Sequence, residues 1–157
     1  MRRKDPTEMT QVNVGKQQPK AYQALMQLNN TILESAAESG LDPRLIELVK
    51  IRASQLNGCA FCLKMHTNDA IQHGETADRL AVVAAWWESQ YFTDQERAAL
   101  QIAEEVTLLS DHGRLPSRGV AAEGTLTDKQ VAAVTWITIV INSWNRVAVF
   151  SHYPVAP

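Results

Sequence analysis

The sequence has little of several features that would place it in a special class of protein. Lys and Arg number 15 and Asp and Glu 17, a net charge of −2 with no basic stripe, so nucleic-acid binding is not indicated. The longest nearly apolar stretch, residues 131–149, is interrupted repeatedly by polar side chains, which favours a core helix over a membrane span. The first twenty residues lack the apolar segment of a signal peptide. We therefore expect a cytoplasmic protein with no nucleic-acid or membrane partner.

Cysteine is scarce as well. The only two, Cys59 and Cys62, stand with His66 in the ten-residue stretch NGCAFCLKMH. No second C-x-x-C pair is present to complete a zinc ribbon. A chain of 157 residues buries roughly two thirds of its surface on folding and needs no disulfide or metal to stay folded. In a reducing cytoplasm paired thiols stay reduced unless redox chemistry is their function.

Helical signals dominate, and no segment alternates apolar and polar residues as a half-buried strand would. Apolar residues recur at helical spacing over residues 21–37. Asp42 followed by Pro43 is typical of an N-cap and a first helical position, and predicts a helix that runs to about Asn57 and stops at Gly58.

Two later helices are marked by capping boxes, in which Thr93 pairs with Glu96 and Thr127 with Gln130. The helices predicted after Gly58 are therefore about 59–73, Thr76 through Trp87, Thr93 to about Ser110, 116–123, and Thr127 to about Phe150. These patterns predict an all-α helical bundle of about six to seven helices. We expect one domain over residues 19–157, preceded by a polar N-terminal arm over residues 1–18.

A helical projection places a reactive set of side chains on one face of the helix over 59–73. Its members are Cys59, Cys62, His66, Asp69 and His73. Cysteines three apart are close enough to form a disulfide, and a helix N-terminus favours the thiolate. His66 is one turn beyond Cys62 and is placed to exchange a proton with it, while Asp69 is placed to orient the ring.

Three interpretations of this face stay open on the residues alone. The first is redox or thiol catalysis. The second is a zinc site made by both cysteines and His66 with a remote ligand such as Glu47 or His73. The third is plain packing of two buried cysteines as small apolar side chains.

Glu47, on the preceding helix, does not stand out by spacing. It is about 15 Å along the helix from the turn at Gly58, so a simple hairpin would not bring it to Cys59. On these grounds Glu47 is expected to be a solvated glutamate weakly paired with Lys50 or Arg44.

The complete spacing nevertheless resembles a known signature. Glu47, eleven residues, Cys59, two residues, Cys62, three residues and His66 resemble the E-x11-C-x-x-C-x3-H motif of the alkyl hydroperoxidase D (AhpD)-like branch of the carboxymuconolactone decarboxylase family. The stretches LIELVKIRASQLNGCAFCLKMHT, FTDQERAALQIAEEVT and INSWNRVAVF are similar as well, so that the resemblance covers about residues 19–153.

The resemblance implies a homo-oligomeric all-α protein, trimer or hexamer, that acts as a thiol-dependent peroxidase on alkyl hydroperoxides or hydrogen peroxide. It implies no metal and no cofactor. Cys62 would be the peroxidatic thiol and Cys59 the resolving one, with Glu47 and His66 as a proton relay. Since a simple hairpin does not bring Glu47 to the thiols, their two helices are expected to cross steeply. Phe61 departs from the best-known member, which has a second histidine between its cysteines.

The implied partners are the peroxide and a dithiol reductant of the lipoyl or thioredoxin-like type. In thioredoxin-type helices the first cysteine is the nucleophile, which would favour Cys59 in disulfide exchange. Both assignments hold if Cys62 meets the peroxide and Cys59 meets the reductant. The alternative function is a non-enzymatic redox sensor whose disulfide switches an oligomer interface.

Overall fold

The structure is a computed structural model that describes residues 11–111 and 124–157, and all regular structure within those ranges is helical. The all-α class predicted from the sequence is confirmed. The α-helices are α1 (Val14–Gln17), α2 (Pro19–Glu38), α3 (Pro43–Asn57), α4 (Ala60–Gln72), α5 (Ala77–Val82), α6 (Asp94–Thr107) and α7 (Asp128–Phe150), with 3₁₀ segments at Val83–Glu88 and Leu109–Asp111. The helix predicted over residues 116–123 lies outside the described residues.

Most helices begin and end where their local chemistry requires. Asp42 caps α3 by accepting from the backbone N–H of Arg44 at 2.8 Å, and Gly58 ends that helix in the left-handed region at φ 65°. Both predicted capping boxes are formed, at Thr93 and at Thr127.

Three boundaries differ from the prediction. The turn α1 precedes the expected start at Pro19, and the backbone N–H of Val14 donates to Ser151 Oγ at 3.1 Å. The helix expected through Trp87 becomes a 3₁₀ segment after α5, with a non-helical Ala85. This change accompanies full burial of the Trp86 indole, a tertiary contact that overrides local preference. Helix α6 ends at Thr107, short of the expected Ser110.

Helix α3 is the centre of the bundle, because it packs against α4, α6, α7 and the 3₁₀ segment at Val83–Glu88. Every residue from Leu45 to Ser54 is buried. Polar side chains on α3 therefore need partners inside the protein. No helix in the described part of the chain is long and apolar enough to cross a membrane.

Within residues 11–111 and 124–157, the cysteines belong to one of three apolar clusters. Its buried members are Ala53, Cys59, Cys62, Ile141 and Ala148, with Phe61, Trp144 and Tyr153 packed around them. The cluster lies where α3, the start of α4 and the second half of α7 meet. That junction positions the candidate site.

Candidate active site

The two cysteines lie at the N-terminal end of α4. Cys59 is the N-cap residue, and its Sγ accepts from the backbone N–H of Cys62 at 3.4 Å. Cys62 lies in the first turn of the helix. Both are free thiols and are only 1% and 2% exposed.

Burial controls the acidity of Cys62. Burial, and after it the hydrogen bond with Cys59, raise the pKa of this thiol to about 12, although a hydrogen bond with the Asn145 side chain acts in the opposite direction. The expectation that the helix N-terminus would favour the thiolate is therefore wrong for Cys62 in this resting arrangement. The apolar surroundings outweigh the helix dipole.

Glu47 and His66 are in direct contact. The Oε2 of Glu47 is 2.8 Å from Nδ1 of His66, and its Oε1 accepts from Lys50 Nζ at 2.7 Å. All three side chains are buried. The expectation of a solvated Glu47 is thus wrong, although its predicted pairing with Lys50 is present.

The pairing follows from the hairpin itself. Glu47 is eleven residues before Gly58 and His66 is eight residues after it, so two antiparallel helices bring them to similar heights. Cys59 is at the turn and is far from Glu47 along the helix, whereas His66 is the residue that Glu47 contacts. The steep crossing of the two helices stays a prediction.

The charge state of Glu47 fixes the tautomer of His66. Burial alone would raise the pKa of the Glu47 carboxyl, but the hydrogen bond from His66 and the charge and hydrogen bond of Lys50 together lower it. An ionised carboxylate can only accept, so Nδ1 of His66 donates to it. In the neutral ring Nε2 then has the free lone pair.

Asp69 was expected to orient the His66 ring, but Glu47 does so. The Oδ2 of Asp69 is 3.6 Å from His66 Nδ1, beyond hydrogen-bonding distance, and its side chain is exposed. His73 is the C-cap residue of α4 and is exposed, so it is not part of the site.

The ligands of the zinc interpretation, which was one of three left open, do not form one cluster in the structure. Among the described residues, the group of possible ligands whose atoms lie within 4.8 Å of one another is Glu47, His66 and Asp69, and it includes neither sulfur. The ammonium of Lys50 already neutralises Glu47. This donor set fits an internal ion pair better than a zinc ion, which prefers thiolate and imidazole.

A cavity of about 390 Å³ adjoins these residues. Cys62 and His66 line it, with Lys50 and Asp69, whereas Cys59 does not. Most of the remaining wall is apolar: Met26, Ile32, Leu33, Phe61, Met65, Ile137, Val140, Ile141, Trp144 and Ala148. The site therefore presents one thiol and one imidazole to a space suited to an apolar molecule.

The segment 151–157 helps to cover the thiols. Tyr153 packs edge-on against Phe61, with ring centroids 5.1 Å apart. The carbonyl of Ala156 accepts from Lys64 Nζ. His152 has a positive φ of 51°, which is uncommon outside glycine and turns the chain back over α4.

Sequence reasoning found the thiols and His66 but missed the partners supplied by α3 and α7. One signal was present: the apolar residues of α3 spread over more than half of its circumference, which is wider than the stripe of a surface helix and indicates a central helix whose polar residues need partners. The sequence places Asn142, Asn145 and Arg146 in an otherwise apolar helix, which predicts hydrogen-bond partners for them in the core or across an interface. Partners within the chain are present for all three.

The chain was also compared with known proteins. Residues 19–105 match the model of the carboxymuconolactone decarboxylase family. The uncharacterized protein YdfG of Bacillus subtilis is 38% identical over 118 residues, which cover 71% of this chain and 76% of that protein. The uncharacterized protein YnjA of Escherichia coli is 36% identical over 70 residues, covering 45% of this chain and 38% of that one.

A crystal structure from Agrobacterium tumefaciens is similar throughout. It is described as a protein of unknown function and a candidate antioxidant defence protein AhpD. The two chains share 34% identity with a TM-score of 0.79, over 94% of this chain and 100% of the other. The chain therefore belongs to the carboxymuconolactone decarboxylase family, as an AhpD-like member.

Proposed function

We propose that the protein is a thiol-dependent peroxidase that reduces alkyl hydroperoxides or hydrogen peroxide in antioxidant defence. The observation that carries this proposal is that Cys62 and His66, one helical turn apart, line the same cavity while Glu47 holds the His66 ring. A nucleophile, a base and a group that orients the base are the parts that activated-thiol chemistry requires. The candidate antioxidant role of the Agrobacterium protein is consistent with it.

The first step needs a base because Cys62 rests as a thiol. Nε2 of His66 takes the Cys62 proton, and the Glu47 carboxylate stabilises the imidazolium that forms. The Cys62 thiolate attacks the terminal oxygen of ROOH and breaks the O–O bond. The proton returns to the leaving oxygen as ROH, and Cys62 is left as a sulfenic acid.

The second step regenerates the site. The Cys59 thiol attacks the sulfenic sulfur, an S–S bond forms and water leaves. An external dithiol then reduces the disulfide and is itself oxidised to a disulfide. By the family resemblance that reductant is a lipoyl-type or thioredoxin-like protein.

The test is turnover of cumene hydroperoxide with a dithiol donor. We expect Cys62→Ser to abolish turnover and His66→Gln to lower it strongly. His73→Gln is a matched control, because His73 is on the same helix but outside the site. Equal consumption of peroxide by the wild type and Cys62→Ser would reject the assignment.

A second function is favoured by one observation, the burial of both thiols under a raised pKa at Cys62. Such a pair fits a slow redox sensor that oxidises once and changes an oligomer interface. Oxidation-dependent changes in size by light scattering, without multiple turnovers, would favour the sensor over the enzyme.

A homo-oligomer, trimer or hexamer, is part of the proposal. Helix α7 carries apolar side chains that are exposed in the single chain, among them Val131, Trp136, Ile139, Val149 and Phe150. Faces of this kind are typical of subunit contacts. Sedimentation of the purified protein measures the oligomeric state, and a monomer at micromolar concentration would contradict this part.

A further inference from the structure

We propose that the cavity beside Cys62 selects uncharged hydroperoxides that carry an aromatic ring, over hydrogen peroxide and over hydroperoxides that carry a carboxylate. This inference rests on the proposed function for the chemistry at Cys62. It narrows that function to one substrate class and assigns the selection to ring-bearing side chains, Phe61 and Trp144 foremost.

Aromatic side chains form a large part of the cavity wall. Four rings line it, those of Tyr22, Phe61, Trp144 and Tyr153, and all four are partly buried. The whole chain has only four Trp, three Tyr and three Phe, so aromatic residues are concentrated at this cavity. Its volume of about 390 Å³ is near the lower end of the range of about 300 to 1,000 Å³ that is usual for small-molecule sites. The cavity therefore suits a small ligand with apolar surface to cover.

The rings are held in place before any ligand arrives. Tyr22 of α2 and Trp144 of α7 pack edge-on, with centroids 5.1 Å apart and planes at 71°. The Trp144 indole also donates to Asn29 Oδ1 at 3.3 Å. Phe61 of α4 and Tyr153 make a second edge-on pair, again at 5.1 Å. Because these side chains have little freedom left to lose, a ligand ring that packs against them costs little ordering entropy.

The aromatic wall and the reactive groups share one space. Phe61 directly precedes Cys62 in α4, and both line the cavity together with His66. A ligand ring that packs against Phe61 and Trp144 gains from burial of its apolar surface and from edge or offset contacts between rings. Hydrogen peroxide has no apolar surface, so this binding energy is not available to it.

The charged groups at the cavity disfavour an anionic ligand. Among the described residues that line it, Lys50 is the cation and Asp69 the carboxylate. The Lys50 ammonium already has the Glu47 carboxylate as its partner at 2.7 Å. With a neutral His66 ring, one cation thus stands against two carboxylates. A substrate carboxylate would lose hydration and enter a region of net negative charge, whereas an uncharged hydroperoxide meets neither cost.

The test measures the binding of inert product alcohols, without any turnover. Cumyl alcohol, which is formed from cumene hydroperoxide, is compared with tert-butanol, which has a methyl group in place of the ring. It is also compared with para-carboxylated cumyl alcohol, which keeps the ring and adds an anion. Dissociation constants are measured by ligand-observed NMR titration of the reduced protein. We expect cumyl alcohol to bind about tenfold more tightly than either of the other two.

Substitutions on α7 test whether the rings cause the selection. Trp144→Leu keeps the wall apolar but removes one ring, so the preference for cumyl alcohol over tert-butanol should fall about threefold. Trp136→Leu is the matched control, because Trp136 is on the same helix but lines a different cavity, and it should leave the preference unchanged. If Trp144→Leu fails to fold, Phe61→Leu takes its place with the same expectation.

Three results would overturn the inference. They are equal affinity for cumyl alcohol and tert-butanol, equal affinity for cumyl alcohol and its carboxylated analogue, and the same loss of preference in Trp136→Leu as in Trp144→Leu.

The inference and the proposed function fail separately. Selective binding of cumyl alcohol by a protein that never turns over cumene hydroperoxide would reject the peroxidase and keep the ligand selectivity. Peroxide turnover by a protein that binds the three alcohols equally would keep the peroxidase and reject the selectivity.

Discussion

Two buried carboxylates pair with cations of the central helix α3, and they are held in similar ways but in different surroundings. Glu47 is paired with Lys50 and His66. Glu104, on α6, accepts from Arg52 at 2.8 Å and from the Trp86 indole at 2.9 Å. Both cations are on α3. Two partners of Glu47 line the 390 Å³ cavity, whereas no partner just named for Glu104 does.

The difference shows which features indicate a reactive site. Burial and a charge partner are common to both carboxylates, so neither property distinguishes them. What distinguishes Glu47 is a titratable imidazole between the carboxylate and a cavity that also contains a thiol. Glu104 has donors that do not change protonation near neutral pH, and its contacts fix α6 and the 3₁₀ segment against α3.

The largest effect is expected from Glu47→Gln. The neutral amide can no longer stabilise the imidazolium, so kcat/KM for cumene hydroperoxide should fall by about 10²- to 10⁴-fold. Stability should change less, because Lys50 lines the cavity and can be hydrated there. Steady-state kinetics and urea unfolding of one preparation measure both. A variant with full activity would remove Glu47 from the relay.

Glu104→Gln should show the opposite pattern. It leaves the Arg52 charge buried without a counter-charge, which costs about 3 to 5 kcal/mol of unfolding free energy. The double variant Glu104→Gln/Arg52→Met should recover most of that loss, since no buried charge remains. A Glu104→Gln protein that keeps its stability but loses activity per folded molecule would break the contrast between the two carboxylates.

A smaller effect is expected from opening the cover over the thiols. Tyr153→Ala removes an aromatic contact worth about 0.5 to 1.5 kcal/mol, so labelling of Cys59 and Cys62 should be about 2- to 10-fold faster. Tyr91→Ala, at an exposed tyrosine far from Phe61 in sequence, is the matched control. Equal labelling rates would show that the segment 151–157 does not limit access.

The smallest effect concerns acid stability. The pKa of the Glu47 carboxyl is lowered below its usual 4.5, so its contribution to stability is present above that pH and is lost as the pH falls through the folded value. As the pH falls below about 5, Glu47→Gln should therefore lose less stability than the wild type does. Unfolding midpoints measured by circular dichroism at a series of acid pH values give the pH dependence of stability for each protein. The two dependences would be equal if the pairing of Glu47 with Lys50 and His66 contributed nothing to stability.

The sequence predicted what local chemistry decides and missed what distant contacts decide. The caps at Asp42, Thr93 and Thr127 depend on residues two or three positions away, and all three are formed as predicted. The acidity of Cys62 depends mainly on its burial, to which Ile141 and Ala148 of α7 contribute from some eighty residues later, and no local pattern indicated that burial. The α7 asparagines were recognised as needing partners, but which partners depends on how the helices pack.

The position of Glu47 shows what residue spacing alone cannot predict and what a family resemblance can. Spacing alone favoured a solvated side chain, and the family resemblance placed it beside the reactive groups. The resemblance carries information about helix packing that a single sequence read for periodicity does not contain. The roles of Glu47, Cys59, Cys62 and His66 remain proposals for the experiments above.

Cys59 has two roles that conflict once the redox reaction begins, as the N-cap of α4 and as the proposed resolving thiol. Its sulfur caps the first turn of α4 by accepting the Cys62 N–H. A disulfide sulfur is a poor hydrogen-bond acceptor, and its position is set by the bond to Cys62, so oxidation weakens the contact with that N–H at a helix end. We expect the oxidised protein to fray at the start of α4, beneath the segment 151–157. The helix cap would then be intact while both cysteines are reduced. It would be weakened once the Cys59–Cys62 disulfide forms, and the start of α4 would open at the point where a reductant has to reach that disulfide.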